Sequence, residues 1–308
     1  MSEGFTDPRF HDEDATREYL ELIRWPKGPV CPHCGAGGRI SRIESQTPQE
    51  KGKGARPGLL FCGDCRKQFS VTVGTVFEHS KIPLHKWVLA THLLCSSKKG
   101  ISSHQLHRIL GVTYKTAWFM THRIREAMKP GNKGMLGGNG PVEADETFVG
   151  TKPGAKKRRG YAHKNAVLSL VERNGEVRSF HVANVTADTL KPILKEQVSS
   201  DAHLMTDDAG QYRLIGPEFA KHEVVAHSTG EYVRGNAHTN TAEGFFSIFK
   251  RGIYGVYQHV SPCHLHRYTA EFDFRYNHRE KLGFDDEMRS HAALKGIAGK
   301  RLTYRRTH

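Results

Sequence analysis

Apolar positions in the first half of the chain recur at the spacing of amphipathic helices. In residues 83–97 the apolar side chains include Trp87, Ala90 and Leu94, separated by three and four residues. The same spacing, with a capping pattern at Ser102 and a stop at Gly111, predicts further helices over 13–24, 102–110 and 113–128. The Gly-rich stretch 131–140 then interrupts the pattern and predicts a linker.

The remainder of the chain alternates predicted strands with predicted helices. Alternation and β-branched runs predict strands over 141–150, on both sides of the Asn174-Gly175 turn, and over 202–209 and 222–228. Helical spacing predicts helices over 186–199, 240–255 and 261–279. The order is three strands, a helix, a strand, a short irregular segment, a strand and a helix. This order is typical of an RNase H-like domain, a mixed sheet with flanking helices.

Four of the six cysteines form two pairs with equal spacing, Cys31 with Cys34 and Cys62 with Cys65. Two intervening residues allow one turn to direct both sulfurs at one ion, and two such turns complete the closed four-sulfur site of structural Zn²⁺. We therefore predict a zinc ribbon, with its second hairpin in 59–77 and a flexible loop at 45–58. Two disulfides are the alternative, which a chain without a secretion signal disfavours.

The charge balance narrows the class of partner. Lys and Arg number 46 against 32 Asp and Glu, a formal net charge of +14. Such an excess favours an anionic polymer, since it neutralises phosphates. No run approaches the roughly 18 apolar residues of a membrane span, and the polar, acidic N-terminus is unlike a signal peptide. We expect a cytoplasmic protein with no membrane partner.

The helices on either side of Gly111 have the layout of a DNA-reading helix-turn-helix. An ordinary helical hairpin has the same pattern, and the neighbouring zinc ribbon and the net charge favour the DNA reader. The side chains expected to be exposed for DNA contact are Tyr114, Lys115, Trp118, Arg123 and Arg125.

Acids occur at three positions of the C-terminal part: Asp145 on its first strand, Asp207 at the end of its fourth and Glu243 on the helix after its fifth. In the RNase H-like fold these positions converge on one face. Phosphodiester cleavage and transfer use two divalent ions about 3.5–4 Å apart, and Mg²⁺ or Mn²⁺ prefers carboxylate oxygens. We predict that Asp145 bridges both ions and that Asp207 and Glu243 complete the coordination of these ions.

Each acid also has an ordinary explanation. Asp145 belongs to a cluster with Glu143, and Asp208 competes with Asp207 for the second position. Glu243 suits the first turn of a helix, where a negative charge is favourable. The catalytic interpretation depends on finding all three at the right element positions.

Three motifs resemble the IS1595 family of ISXO2-like insertion-sequence transposases: EADETFVG (143–150), TDD (206–208) and the segment 240–279. The resemblance runs from about Cys31 to about Arg279. It implies that Asp145, Asp207 and Glu243 are the catalytic acids. It assigns Lys250, seven residues after Glu243 and followed by Arg251, to DNA contact near the active site.

This resemblance implies a DDE-type transposase that cleaves DNA at terminal inverted repeats and joins the freed 3′-hydroxyl to target DNA. Its partner would be double-stranded DNA, on which it would act at least as a dimer, associated with a prokaryotic nucleoid. Two alternatives are a DNA-binding regulator with an inactive RNase H-like domain and a nuclease without strand joining.

The predicted architecture is an α/β multidomain chain. It comprises a zinc-ribbon domain with an N-terminal helix (1–80), a helix-turn-helix region (81–130), a Gly-rich linker (131–140), an RNase H-like domain (141–284) and a C-terminal helix with a basic tail (285–308).

Overall fold

The computed structural model describes residues 4–43, 57–131, 134–157, 159–226, 229–231 and 233–303. The chain forms two compact units. The first combines Met1–Ser97, Ser103–Met128 and Asp286–His308, and the second combines Lys98–Ser102 and Lys129–Asp285. The C-terminal segment thus returns to the first unit. Most of the loop predicted at 45–58 lies outside the described residues.

The first unit begins with a helix and a small sheet. Helix α1 (Glu13–Arg24) starts at Asp12, whose carboxylate accepts a hydrogen bond from the N–H of Ala15 at 2.7 Å, a stabilising N-cap. Strands β1 (Ile40–Arg42), β2 (Leu60–Cys62) and β3 (Gln68–Phe69) then form an antiparallel sheet in that order. A ribbon with its second hairpin after residue 59 is confirmed.

Three helices follow: α2 (Leu84–Ser96), α3 (Ser103–Leu110) and α4 (Tyr114–Met128). Gly111, between α3 and α4, has a φ of +61°, a conformation that glycine adopts without strain and that ends a helix. Their apolar faces bury large side chains that include Trp87, Leu94, Leu106, Met120 and Ile124. The predicted helices are therefore present within one or two residues of their expected bounds.

The second unit is built on a five-stranded mixed sheet in the order β6-β5-β4-β7-β8. The strands are β4 (Val142–Val149), β5 (Asn165–Glu172), β6 (Val177–Val182), β7 (His203–Asp207) and β8 (Lys221–Val225). β4, β5 and β6 pair antiparallel, whereas β7 pairs parallel with both β4 and β8. Asn174 adopts a φ of +59° in the β5–β6 turn, a conformation that Asn tolerates better than most residues.

Helices α5 (Ala187–Gln197), α6 (Tyr212–Ile215), α7 (Asn240–Gly252) and α8 (Pro262–Asn277) complete this unit. Alternate residues of the sheet contribute to two cores. One face, here the α5 face, packs Val142, Ala144, Leu168 and Leu170 with Leu190 and Leu194. The other, here the α7 face, packs Val149, Val167 and Val171 with Phe245, Phe246, Phe249 and Phe272.

The helix predicted over 240–255 ends earlier, at Gly252, and continues as one π-helical turn, Ile253–Tyr257. A Cβ atom at Gly252 would lie 2.2 Å from the Phe272 ring and 2.8 Å from the carbonyl oxygen of Lys99. Helix α7 therefore makes a close approach at this residue, which only glycine permits.

The last helix, α9 (Asp286–Lys295), belongs to the first unit and packs against α1, α2 and α4. Arg289 donates a hydrogen bond to the carbonyl of Cys95 at 3.1 Å, and Lys300 donates one to the carbonyl of Ala127 at 2.9 Å. These bonds satisfy C-terminal carbonyls of α2 and α4.

Candidate functional site

The four paired cysteines gather at the small sheet. The Sγ atoms of Cys31 and Cys65 lie 3.6 Å apart and those of Cys34 and Cys62 lie 3.7 Å apart. All four sulfurs fall within 4.8 Å of one another. Zn–S bonds of about 2.3 Å in a tetrahedral site separate the sulfurs by about 3.8 Å, so this arrangement fits one zinc ion.

The chemistry of these cysteines agrees with that geometry. All four are free thiols, and their separations are well beyond the roughly 2.0 Å of a disulfide. Burial opposes ionisation of Cys31, but the N–H groups of His33 and Cys34 and the neighbouring thiols lower its pKa to about 7. That change favours the thiolate of Cys31, the form that binds metal. A backbone N–H bond lowers the pKa of Cys34, but burial and the neighbouring thiols raise it to about 12. Burial and neighbouring thiols also raise the pKa of Cys65. The predicted four-cysteine site compatible with structural zinc is confirmed.

Two of the three predicted acids lie on adjacent parallel strands. The pairing of β4 with β7 runs through Val142 with Leu204 and Glu143 with Met205. Asp145 and Asp207 each stand two residues beyond the last pair on their own strand. Side chains alternate along a strand, so Asp145 shares the α7 face with Glu143. Asp207 is three residues past Leu204, which packs on the α5 face, and Asp207 therefore also points to the α7 face.

The third acid lies on α7 itself. This helix buries one apolar side, formed by Ala242, Phe245, Phe246 and Phe249. Glu243, Lys250 and Arg251 are exposed. Seven residues correspond to nearly two turns, with a drift of about 20°, so Glu243 and Lys250 share one flank of the buried side, about 10 Å apart along the axis.

The start of α7 is held by a buried carboxylate from β4. Glu143 is fully buried and accepts hydrogen bonds from the N–H groups of Thr241 and Ala242, both at 2.9 Å, and from the Thr241 hydroxyl at 2.8 Å. Its charge is balanced by the Nε of Arg173 at 2.6 Å. Glu143 thus satisfies the first N–H groups of α7, in the way that a capping acid does.

Glu146 faces the opposite side of the sheet and has an unusual environment. The Tyr212 hydroxyl donates to its carboxylate at 2.7 Å. Burial raises the pKa of Glu146 to about 7; the bond from Tyr212 opposes this rise, while the charges of Asp145 and Asp207 add to it. The influence of both aspartates indicates that these two acids concentrate negative charge at this part of the sheet.

The predicted acids are therefore placed on one side of the second unit, Asp145 and Asp207 by the sheet and Glu243 by α7. Within the part of the chain that the structure describes, the four cysteines are the group of potential ligands close enough to share one metal ion. The three acids do not form such a compact group. Asp207 also accepts a bond from the N–H of Ala209 at 3.1 Å.

Of the residues predicted to contact DNA from α4, Tyr114 and Lys115 are exposed at its first turn. Trp118 is half-buried, with its ring 4.2 Å from that of His122. Lys115 and Trp118 line a cleft of about 590 Å³ within the first unit, together with residues from 79–82.

The expectation that Arg123 and Arg125 are exposed is wrong. Arg123 is 8% exposed, donates to the carbonyl of Glu78 at 3.1 Å and stacks over Phe119 at 4.7 Å. Arg125 is buried and donates to the Thr121 hydroxyl at 3.1 Å. Every residue from Met120 to Arg125 is buried, so this part of α4 is covered on all sides and both guanidinium stems pack among other groups.

Sequence reasoning missed Glu143 and Arg173 as residues that support the site. The strand alternation does place Glu143 on the face of Asp145, which is a usable signal. Nothing in the sequence pairs Glu143 with Arg173, 30 residues away, or with Thr241, 98 residues away. Those contacts depend on how the sheet and α7 pack.

Together these features define a two-part protein: a four-cysteine zinc ribbon, and a mixed sheet with flanking helices that carries aligned acids. The transposase zinc-ribbon domain matches residues 11–68, and the ISXO2-like transposase domain matches residues 136–277. An uncharacterized protein in transposable element ISH50 of Halobacterium salinarum is 30% identical over 285 residues, which cover 86% of this chain and 91% of that protein. The chain belongs to the IS1595 family of ISXO2-like transposases.

None of the helices in the described ranges combines the length and the apolar character needed to cross a membrane.

Proposed function

We propose that this protein is a DDE-type DNA transposase that cleaves DNA at the terminal inverted repeats of its element and transfers the freed 3′-hydroxyl to target DNA. Asp145, Asp207 and Glu243 are the proposed catalytic acids. The observation that supports the proposal is the parallel pairing of β4 with β7, because Asp145 and Asp207 each stand two residues beyond its last pair, on the face covered by α7.

We propose Mg²⁺ or Mn²⁺ as the cofactor of these acids. Both ions prefer carboxylate oxygens, and the two aspartates already influence the ionisation of the same neighbour, Glu146. When bound, such ions activate the attacking water or hydroxyl and stabilise the leaving oxygen. Glu243 is exposed on α7, and Glu143 holds that helix at its first turn.

The strand order supports an RNase H-like assignment for the second unit. If the strands of this unit are numbered one to five along the chain, their order across the sheet is 3-2-1-4-5. Strands 1 to 3 pair antiparallel, and strand 4 is parallel to strand 1. Helices cover both faces. We propose this fold for residues 141–284, preceded by the linker 131–140.

The first unit supplies the proposed recognition of DNA. Tyr114, Lys115 and Trp118 lie at the N-terminal half of α4, which follows a three-residue turn after α3. That is the position of base-reading residues in a helix-turn-helix. In the second unit, exposed Lys250 and Arg251 would hold backbone phosphates near Glu243. Acting on two element ends requires at least two copies of the chain on DNA.

The proposal is tested by incubating labelled duplex carrying the element's own end with the protein, in Mg²⁺ or in EDTA. We expect metal-dependent nicking at the end, and a loss of at least a hundredfold in Asp145→Asn, Asp207→Asn and Glu243→Gln with DNA binding retained. Asp208→Asn is the matched control and should retain nicking. Full activity in any of the three variants would remove that residue from the site.

A second outcome favours a different function. Specific binding of the element end without nicking in Mg²⁺ or Mn²⁺ would indicate a DNA-binding regulator that uses the zinc ribbon and helices α3 and α4.

A further inference from the structure

The loop between β4 and β5 is the most strongly basic short segment of the second unit. Residues 151–164 contain six Lys or Arg and no Asp or Glu. The described cations Lys156, Lys157 and Arg159 are exposed. A segment with this charge neutralises phosphates and attracts DNA, yet neither the zinc ribbon nor the proposed catalytic acids account for it.

Hydrogen bonds give the described part of this loop a defined shape. The N–H of Lys152 donates to the carbonyl of His163 at 2.8 Å, which closes the loop above the strand ends. Within it, the N–H of Lys164 donates to the carbonyl of Tyr161 at 2.8 Å, and the N–H of Ala155 donates to the carbonyl of Lys152 at 3.1 Å. Lys156, Lys157 and Arg159 therefore lie on an extension of the β4–β5 hairpin. We call residues 151–164 the basic hairpin.

An exposed aromatic ring sits within the basic hairpin. Tyr161 is 59% exposed. It stacks nearly parallel on Phe148 of β4, with ring centroids 4.6 Å apart and an angle of 7°. Phe148 is itself packed against the core of the α5 face. The sheet therefore supports the Tyr161 ring on one side, while the ammonium group of Lys164 lies 5.4 Å from the ring centroid.

The basic hairpin continues from the C-terminal end of β4, beyond Asp145. Its Tyr161 ring lies with Phe148 on the α5 face, whereas the proposed acids point to the α7 face, so a DNA strand bound by both passes over the end of β4. Asp145 is four residues before Val149, the last residue of β4, a distance of about 13 Å along the strand. That distance corresponds to about four base steps of DNA. Gly150 at the base of the hairpin donates to the Tyr254 hydroxyl at 3.3 Å, which connects it to the turn after α7, next to Lys250 and Arg251.

We propose that the basic hairpin binds an unpaired segment of the DNA strand beside the cleavage position, with a base stacked on Tyr161 and its phosphates held by Lys156, Lys157 and Arg159. A supported aromatic ring among cations is the arrangement by which proteins bind single-stranded DNA. Within a duplex the faces of the bases are already stacked, so an exposed ring gains a partner only from a base that has left the helix. Lys164 would exchange its contact with the ring for a phosphate.

This inference rests on the proposed function for the place of cleavage, but its binding step does not require the catalytic acids. The test therefore measures binding in EDTA, using a fluorescently labelled duplex that is either blunt or carries a short 3′ overhang of deoxythymidines. Tyr161→Ala should weaken binding of the overhang probe about tenfold and change binding of the blunt duplex less than twofold. Tyr161→Trp, which keeps a stacking ring, should restore binding of the overhang probe.

The cations are tested with the triple variant Lys156→Ala, Lys157→Ala, Arg159→Ala. We expect weaker binding of both probes and a shallower dependence on salt, by about 0.7 to 0.9 in the logarithmic slope for each phosphate that the variant no longer neutralises. Lys195→Ala, on α5, is the matched charge control because its ammonium pairs with Glu218 at 3.0 Å; it should leave the salt slope unchanged.

The stacking role is overturned if Tyr161→Ala binds each probe as tightly as the original protein does and has an unchanged circular dichroism spectrum. An unchanged salt slope in the triple variant would overturn the phosphate contacts. If Asp145→Asn still nicks DNA, the proposed function fails while these binding results stand; if Asp145→Asn is inactive but Tyr161→Ala binds normally, only the hairpin proposal fails.

Discussion

Glu143 and Thr241 join strand β4 to helix α7 through two hydrogen bonds, from the Thr241 N–H at 2.9 Å and from its hydroxyl at 2.8 Å. Each residue stands two positions before one of the proposed acids, Asp145 and Glu243. The contact therefore sets the spacing between the backbone segments that carry both acids. A carboxylate suits this place because it can accept several bonds while it satisfies the first N–H groups of the helix.

Replacing this carboxylate should destabilise the second unit. Glu143→Ala leaves Arg173 and the first N–H groups of α7 without their buried partner, and we expect a loss of about 3–5 kcal/mol in the free energy of unfolding, measured by urea denaturation. Glu143→Gln keeps an acceptor and should lose less. Glu196→Ala, an exposed acid on α5, should change stability by no more than about 0.5 kcal/mol. A Glu143→Ala protein as stable as that control would contradict the capping role.

The four-sulfur site predicts that zinc stabilises the first unit. Cys31→Ser removes one of four ligands, and we expect it to lose bound zinc and to lower the melting temperature, because binding energy of a structural zinc is folding energy. Zinc is measured by atomic absorption and melting by calorimetry. Cys263→Ser, an exposed thiol outside the cluster, should retain both. Full zinc content in Cys31→Ser would show that the four sulfurs do not bind the ion together.

Two basic residues of α4, Lys115 and Arg123, should behave differently when replaced by alanine. Lys115 is exposed, so Lys115→Ala should weaken binding of the element end by about 1 kcal/mol or more and leave stability unchanged. Arg123 bonds to the carbonyl of Glu78 and stacks on Phe119, so Arg123→Ala should lower stability by about 1–3 kcal/mol. Fluorescence anisotropy and urea denaturation separate the two effects. If instead Arg123→Ala weakens DNA binding and Lys115→Ala lowers stability, the DNA contact lies at Arg123.

Burial, and secondarily the charge of His203, lowers the pKa of His222, which lies within hydrogen-bonding distance of the Thr206 hydroxyl at 2.9 Å. In the unfolded chain this histidine takes up a proton near its ordinary pKa of about 6.5, whereas the folded protein resists protonation. Its contribution to stability is therefore fully present above that pH and is lost as the pH falls through the lowered folded pKa.

We expect His222→Gln to reduce the loss of stability between about pH 8 and 5, measured by urea denaturation at each pH. Comparing the variant with the original protein cancels the contribution of the other histidines. Parallel pH profiles for the two proteins would contradict a selective role of His222.

Much of the architecture could be predicted from local sequence. The pairing of Asn174 with Gly175 predicts a hairpin turn because both favour positive φ, and Gly111 predicts the end of α3 for the same reason. The helical spacing over 240–255 predicts too long a helix, since the close approach of Gly252 to Phe272 follows from tertiary packing. Helical spacing over 113–128 predicts an exposed Arg123, because the spacing does not show how much of α4 the other helices cover.

Local sequence specifies the four cysteines of the zinc-compatible site, the order of strands and helices, and the elements on which Asp145, Asp207 and Glu243 lie. Cysteine spacing determines which sulfurs share a turn, and hydrophobic periodicity determines which elements form, because both are local properties. Tertiary packing sets the pairing of β4 with β7 just before Asp145 and Asp207, and it places Glu143 at the start of a helix 98 residues later in the chain. Such contacts depend on packing between elements distant in sequence, for which local propensity carries no information.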